Sequence, residues 1–319
     1  MTRPDNPADP AAEGSAATSD AAAAGAAGPA GPEAPRPRRS VLYMPGANTR
    51  ALEKAKDIPA DALILDLEDS VAPDAKAGAR DRVAAAVAAG GYGYRETTVR
   101  VNAPGTPWHA DDLRAAAAAG PDAVVVPKVD SAAAVREVEK ALEAAGAPEH
   151  TAVWAMLETP AALLDAREIA AASPRLTVLV LGTNDLVKEL RAEHVPGRAP
   201  LLAALSLAVL AARAAGKAVL DGVYNDVTDL PGFEAETRQA RQLGFDGKTL
   251  IHPRQVEPCN RLFSPGPEEV ERAGRIIAAF EEATSQGRGV VTVDGRMVEN
   301  LHVEEARRVL ALAAAVAGR

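Results

Sequence analysis

The 319-residue chain has a single cysteine, Cys259. No disulfide can form within it and no cysteine cluster can hold a metal, so the expected setting is reducing and cytoplasmic. A dense run of Lys or Arg is also missing, and 44 acidic against 35 basic residues leave a formal net charge of −9. That balance argues against a nucleic-acid or anionic-membrane partner. No apolar run approaches the roughly 20 residues needed to cross a bilayer. The first 39 residues lack apolar side chains larger than Ala in any number and end in the basic stretch Arg36-Pro37-Arg38-Arg39. A segment with so little to bury is expected to be disordered. It lacks the Leu or Val of a secretory signal, and Asp5, Asp9, Glu13 and Asp20 argue against a transit peptide.

From Ser40 onward, short apolar runs alternate with Ala-rich helical stretches, the pattern of a parallel sheet with crossover helices. The runs are 40–46, 63–69, 98–102, 124–129, 153–159, 178–185, 218–226 and 247–253, eight in all. Segments 48–57, 75–89, 131–145, 160–172 and 201–215 are long enough to cover the strands. Eight such units in about 215 residues fit an α/β fold of the (β/α)8 TIM-barrel type, typically ~250 residues. An open doubly wound sheet is the alternative, but the GANTR after Pro45 is not a G-x-G-x-x-G turn. The expected division is a tail (1–39), a barrel (40–264) and a C-terminal extension (265–319). The extension should hold a helix over 267–287, a hairpin over 289–298 and a last helix over 303–318.

In a barrel the C-terminal ends of the strands open onto one mouth. Those ends carry Glu68-Asp69, Arg100 with Asn102, Lys128, Glu158-Thr159, Asn184-Asp185, Asp221 with Tyr224 and Asn225, and His252. Singly, several have a plain structural reading: Asp69, Thr159 and Asp185 could each cap a helix. Collectively they concentrate charge at one rim. Glu158 and Asp185, one β/α unit apart, offer the two hard oxygen ligands by which Mg²⁺ is commonly held, with water or substrate completing the shell. Arg100 can pair with a carboxylate or donate to a developing oxyanion. A metal site, an arginine and no dedicated nucleophile suit bond cleavage through an enolate.

The motifs LYMPG (42–46), LDLEDSVAPDAK (65–76), VRVN (99–102), PKV (127–129), LETP (157–160), GTNDL (182–186), IHPRQ (251–255) and DGRMVEN (294–300) occur in one order. Together they resemble the CitE-like acyl-CoA lyases within the HpcH/HpaI aldolase superfamily, from about residue 40 to the C-terminus. The resemblance implies Mg²⁺, or Mn²⁺ in its place, on Glu158 and Asp185. It implies that Arg100 binds substrate oxygens and that Glu68 and Asp69 hydrogen-bond metal waters or Arg100. Lys128 is then either a salt-bridge partner of the rim acids or a substrate contact, and His252 a structural residue. The implied reaction cleaves or forms the C–C bond of a 3-hydroxyacyl-CoA thioester, giving acetyl- or propionyl-CoA and a 2-oxo acid. Thioester hydrolysis at the same site, or action only within a citrate lyase-like complex, are the alternatives. In the family an Asp in a motif like DGKMVDxP reaches into a neighbouring subunit's mouth as acid/base. Here Glu299 stands at that place and the Pro is missing. Its longer side chain displaces the carboxylate, to which productive geometry is sensitive. Asp294 is the fallback, although its D-G pair reads first as a hairpin turn. The resemblance thus implies a homo-oligomer, expected as a homotrimer or dimer of trimers.

Overall fold

The computed structural model describes residues 36–319; the expected disordered tail lies, up to residue 35, outside the described residues. A strand buried on both faces needs apolar side chains at nearly every position, and the eight runs satisfy this. They form β1 (Ser40–Pro45), β2 (Ala62–Asp66), β3 (Glu96–Arg100), β4 (Ala123–Val126), β5 (Ala152–Leu157), β6 (Leu176–Leu181), β7 (Ala218–Asp221) and β8 (Gly247–Leu250). All neighbours pair in parallel and in chain order, and β8 closes on β1 to give a barrel. The expected runs overshoot the strands at their C-terminal ends: 63–69 ends as a strand at Asp66 and 218–226 at Asp221. The overshoot, which carries Glu68, Asp69, Tyr224, Asn225 and Asp226, belongs to the loops of the mouth.

The connecting helices are α1 (Thr49–Lys54), α2 (Lys76–Ala89), α3 (His109–Ala119), α4 (Ala132–Ala144), α5 (Pro160–Leu164), α6 (Ala166–Ala170), α7 (Thr183–Leu190), α8 (Leu202–Ala214), α9 (Leu230–Leu243) and α10 (Val256–Phe263). The expected single helix over 160–172 is two short ones that share Asp165 as a cap. The most apolar helical stretch, 196–214, is interrupted by left-handed backbone at Gly197 and Arg198, with φ of 75° and 54°. This leaves α8 at 13 residues, short of a bilayer span.

Side chains alternate across each strand. Val41, Ile64, Val125, Trp154, Met156, Val180 and Leu220 fill the barrel interior. Leu42, Leu63, Leu65, Val124, Leu157, Leu179 and Val219 face outward to meet Leu142, Ile169 and Phe233 of the helices. At the N-terminal end of the barrel, residues 36–39 are part of the fold. Arg38 donates to both oxygens of Glu96 (2.6 and 2.8 Å), and Arg39 clasps Asp61 at 2.8 Å. The basic stretch read as the end of the tail is therefore seated on acids at the strand starts. Gly247 is required there, because a Cβ would collide with the Arg38 carbonyl.

After the barrel come α11 (Pro267–Ser285), the hairpin β9 (Val291–Val293) and β10 (Arg296–Val298), and α12 (Asn300–Ala317). These elements pack mainly on one another, with Ala273, Ala306 and Val309 in one small core and Val293, Val298 and Val303 in a second. Beyond α12, Arg319 bonds Asp61, the carboxylate that Arg39 also holds.

Candidate active site

Alternation decides which charged residues reach the mouth. In β2 the inward series is Ala62, Ile64, Asp66, and Asp66 lies in register with Arg100 of β3. On β5, Trp154 and Met156 point inward, and Glu158 follows in the same phase. On β7 it is Leu220 that points inward, so Asp221 faces the helices. Asp221 is thus not a mouth residue, contrary to the reading from strand ends. It is fully buried against Lys248 Nζ (2.8 Å) and Arg198 Nη1 (2.7 Å), with Lys248 also 2.7 Å from Glu236. Burial alone would raise its carboxyl, but the two cations outweigh burial and hold it below the usual range.

Arg100 is the hub of one side of the site. Its Nε and Nη2 donate to the two oxygens of Asp66 at 2.6 and 2.8 Å. Its Nη1 donates to Asp69 at 3.1 Å and lies 2.9 Å from Glu68. Glu68 and Asp69 were expected beside Arg100 and are there. Asp66, which takes the forked pair, was not singled out, although the alternation and strand register carry the signal. Burial would raise Asp66, but Arg100 more than offsets it and the carboxyl is held down. For Glu68 the balance is reversed: burial prevails over Arg100 and raises it to about 8. Lys76 fastens this loop, its Nζ donating to the carbonyls of Leu67 and Glu68 at 3.0 and 2.9 Å.

Across the mouth, Glu158 is 2% exposed and its Oε1 accepts from the backbone N–H of Lys128 at 2.7 Å. Lys128 takes a left-handed φ of 52°, which a non-glycine residue rarely adopts. Gly182 lies against Oε2, where a Cβ would collide with it. Asp185 stands in the first turn of α7, where an acid is favoured. Burial first, and Asp185 second, raise Glu158 to about 7. Lys128 Nζ sits 3.5 Å from Asp185 Oδ1; burial opposes its charge, yet Glu158, Asp185 and Glu68 outweigh that and raise it. Two carboxylates that repel each other and draw in an ammonium fit a divalent cation. Among the described residues no group of three or more His, Cys, Asp or Glu could hold a metal. The donor pair therefore suits an ion that keeps water and substrate oxygens, as Mg²⁺ does, rather than one caged by protein.

Tyr43, Asp66, Asp69, Arg100, Glu158 and Asp185 line one cavity of about 330 Å³, walled further by Leu181, Val223 and Ile251. Other rim residues are engaged by protein partners, Asn184 among them although it lines the cavity. Thr159 caps α5, accepting from Ala162 N at 3.1 Å, and His252 Nδ1 accepts from Arg254 N at 3.1 Å, as expected of a structural histidine. Asn102 bonds Asp112 and the Leu67 carbonyl, and Asn184 and Asn225 exchange amide hydrogen bonds at 3.1 and 2.8 Å. Tyr224 donates to Asp229 at 2.6 Å. Glu299 does not line this cavity; it is the N-cap of α12, where its N–H donates to His302. Asp294 forms the hairpin turn with a φ of 49° and bonds Arg275 at 3.0 Å.

A family model described as HpcH/HpaI aldolase/citrate lyase matches residues 39–253. A (3S)-malyl-CoA thioesterase of Cereibacter sphaeroides is 52% identical over 281 residues, covering 88% of this chain and 96% of the relative. The citrate lyase subunit beta of Escherichia coli is 42% identical over 283 residues, covering 87% and 94%. Among solved structures, CitE from Mycobacterium tuberculosis in complex with magnesium, acetoacetate and coenzyme A superposes with a TM-score of 0.72 at 32% identity, covering 86% of this chain and 97% of that one.

Proposed function

Since the chain belongs to the HpcH/HpaI aldolase/citrate lyase family, we propose that it is a magnesium-dependent enzyme that cleaves or forms the C–C bond of a malyl-type CoA thioester. The observation that carries this reading is the opposition, in one cavity, of the Glu158–Asp185 pair to the buried Arg100. The hydroxyls that line it, Ser70, Thr183 and Thr249, have no His among the lining residues to activate them, which supports a site that stabilises charge. When bound on Glu158 and Asp185, Mg²⁺ would supply electrophilic polarisation of the 2-oxo acid end. Lys128 N–H orients the Glu158 carboxylate, and Gly182 leaves room for its second oxygen. Arg100, fixed in plane by Asp66, places positive charge beside the forming thioester enolate. In the cleavage direction the hydroxyl proton passes to Glu299 of a neighbouring copy and the C–C bonding electrons pass to the thioester carbon unit. Protonation of that unit gives acetyl- or propionyl-CoA beside the 2-oxo acid.

A trimer or dimer of trimers supplies Glu299 in this reading. Leu164, Leu190, Leu202, Leu207 and Leu210 support an assembly of copies, being exposed on the neighbouring helices α5, α7 and α8. The test is a panel of malyl-, citramalyl-, β-methylmalyl- and citryl-CoA with and without Mg²⁺, products identified by mass. Glu158→Ala and Asp185→Ala should each abolish the metal-dependent turnover; if both variants retain it, the metal assignment is wrong. Thioester hydrolysis is the second reading, favoured by the relative at 52% identity. It would release free CoA and the intact hydroxy acid, whereas the lyase gives two fragments.

A further inference from the structure

Tyr43 is a polar side chain of the mouth with no task in the chemistry above. It stands on the inward face of β1, lines the cavity, and lays its ring against the Arg100 guanidinium, 4.8 Å from Cζ to the ring centroid. Tyr43 is half-buried, and phenols so placed usually find an acceptor. Tyr92 donates to the Leu52 carbonyl at 3.4 Å and Tyr224 to Asp229 at 2.6 Å. The Tyr43 hydroxyl meets no protein partner among the described residues. Burial raises its pKa well above the ordinary range, Arg100 notwithstanding, so it is a neutral donor at any working pH.

The commitments of Arg100 leave room for a second donor. A guanidinium has five N–H groups. Three hydrogen bonds commit it to Asp66 and Asp69, and Glu68 crowds the same Nη1 at 2.9 Å. Its Nε/Nη2 fork is taken by Asp66, and its single positive charge already serves Asp66 and Asp69. One Nη2 N–H is left for an oxyanion forming beside it, and a second donor would add to that single bond. The phenol, stacked on Arg100 in the same cavity, is a free donor placed beside it.

We propose that Tyr43 contacts the substrate, donating its phenolic hydrogen to the oxyanion that develops on the thioester oxygen, while its ring holds the plane of Arg100. The proposal rests on the reading of the site as one for CoA thioesters. It holds for C–C cleavage and for hydrolysis alike, because negative charge gathers on that oxygen in both.

Tyr43→Phe keeps the ring and removes the donor. With the malyl-type substrate that the wild type uses best, kcat should fall by about 100-fold, the loss typical of one oxyanion donor. KM should stay within a few-fold, and the rise in melting temperature on adding MgCl2 should match wild type, showing an intact fold and metal site. Tyr43→Leu also removes the stacking surface and should add a rise in KM, since Arg100 loses its support. A Tyr43→Phe enzyme with wild-type kcat, or one impaired in KM alone, overturns the assignment of Tyr43 and leaves the site reading standing. Absence of Mg²⁺-dependent turnover by the wild type on the whole panel overturns both.

Discussion

Glu158 is a carboxylate placed where ionisation is costly until a cation joins it. Its folded pKa, about 7, lies above the ~4.3 of a free glutamate. A raised carboxyl contributes stability that is fully present below the unfolded value and is lost as pH rises through the folded one. In the absence of metal, Glu158→Gln should therefore melt with the wild type near pH 4 and several degrees above it near pH 8. Adding Mg²⁺ at pH 8 should stabilise the wild type and leave the Gln variant unmoved, both read by thermal denaturation in EDTA and in MgCl2. Lys248 presents the opposite case, a fully buried cation between Asp221 and Glu236. Lys248→Met leaves Asp221 with Arg198 alone and removes the close cation from Glu236, and should cost about 3–5 kcal/mol in denaturant unfolding. Single residues were unevenly legible. Glu158, Asp185 and Arg100 announce themselves as charges ending apolar runs. Asp66 carries the same kind of signal but sits one alternation earlier, and only the pairing of β2 with β3 shows that it, not Glu68, takes the forked bond. Asp221 misleads for a related reason: a shift of one position in a strand turns a mouth residue into a core ion pair.

At the scale of elements, the start of α7 and the end of β5 are one device, because Gly182 lets the backbone pass directly over the Glu158 carboxylate. Gly182→Ala should leave the barrel folded but displace Glu158, lowering Mg²⁺-dependent turnover by about 100-fold. Normal turnover at normal Mg²⁺ affinity would refute that coupling. The strands were legible because a parallel barrel needs unbroken apolar runs, and the helices because they must cover those runs. What composition hid was the role of Arg36, Arg38 and Arg39: their charge reads as solvated until Glu96, Asp61 and Asp122 are seen opposite them. The break at Asp165 was equally hidden, since Ala-rich sequence continues on both sides of it.

For the molecule as a whole, the barrel and the extension bury separate cores. Val303→Ala, at the base of the hairpin core, should speed amide exchange in α11, α12 and the hairpin while barrel amides stay protected. Equal loss of protection in the barrel would show the two to be one cooperative unit. Light scattering coupled to size exclusion should give an oligomer, and a stable, fully active monomer would sink the shared-site reading. Whether Glu299 completes a neighbour's mouth depends on contacts between copies, which a single chain's sequence does not encode in any periodic form.

Asp61 receives both Arg39 at the base of β1 and Arg319 beyond α12. One end of the last helix is thereby pinned to the floor of its own barrel, and Glu299 caps the other end. The 18 residues of α12 make a strut of about 27 Å at 1.5 Å per residue. On the proposed shared site, the helix would act as a gauge whose length and winding set how far, and in which direction, Glu299 is presented. Removing one residue would shorten it by about 1.5 Å and swing the carboxylate by about 100°, which on that proposal would misplace the acid without altering any residue that lines the cavity.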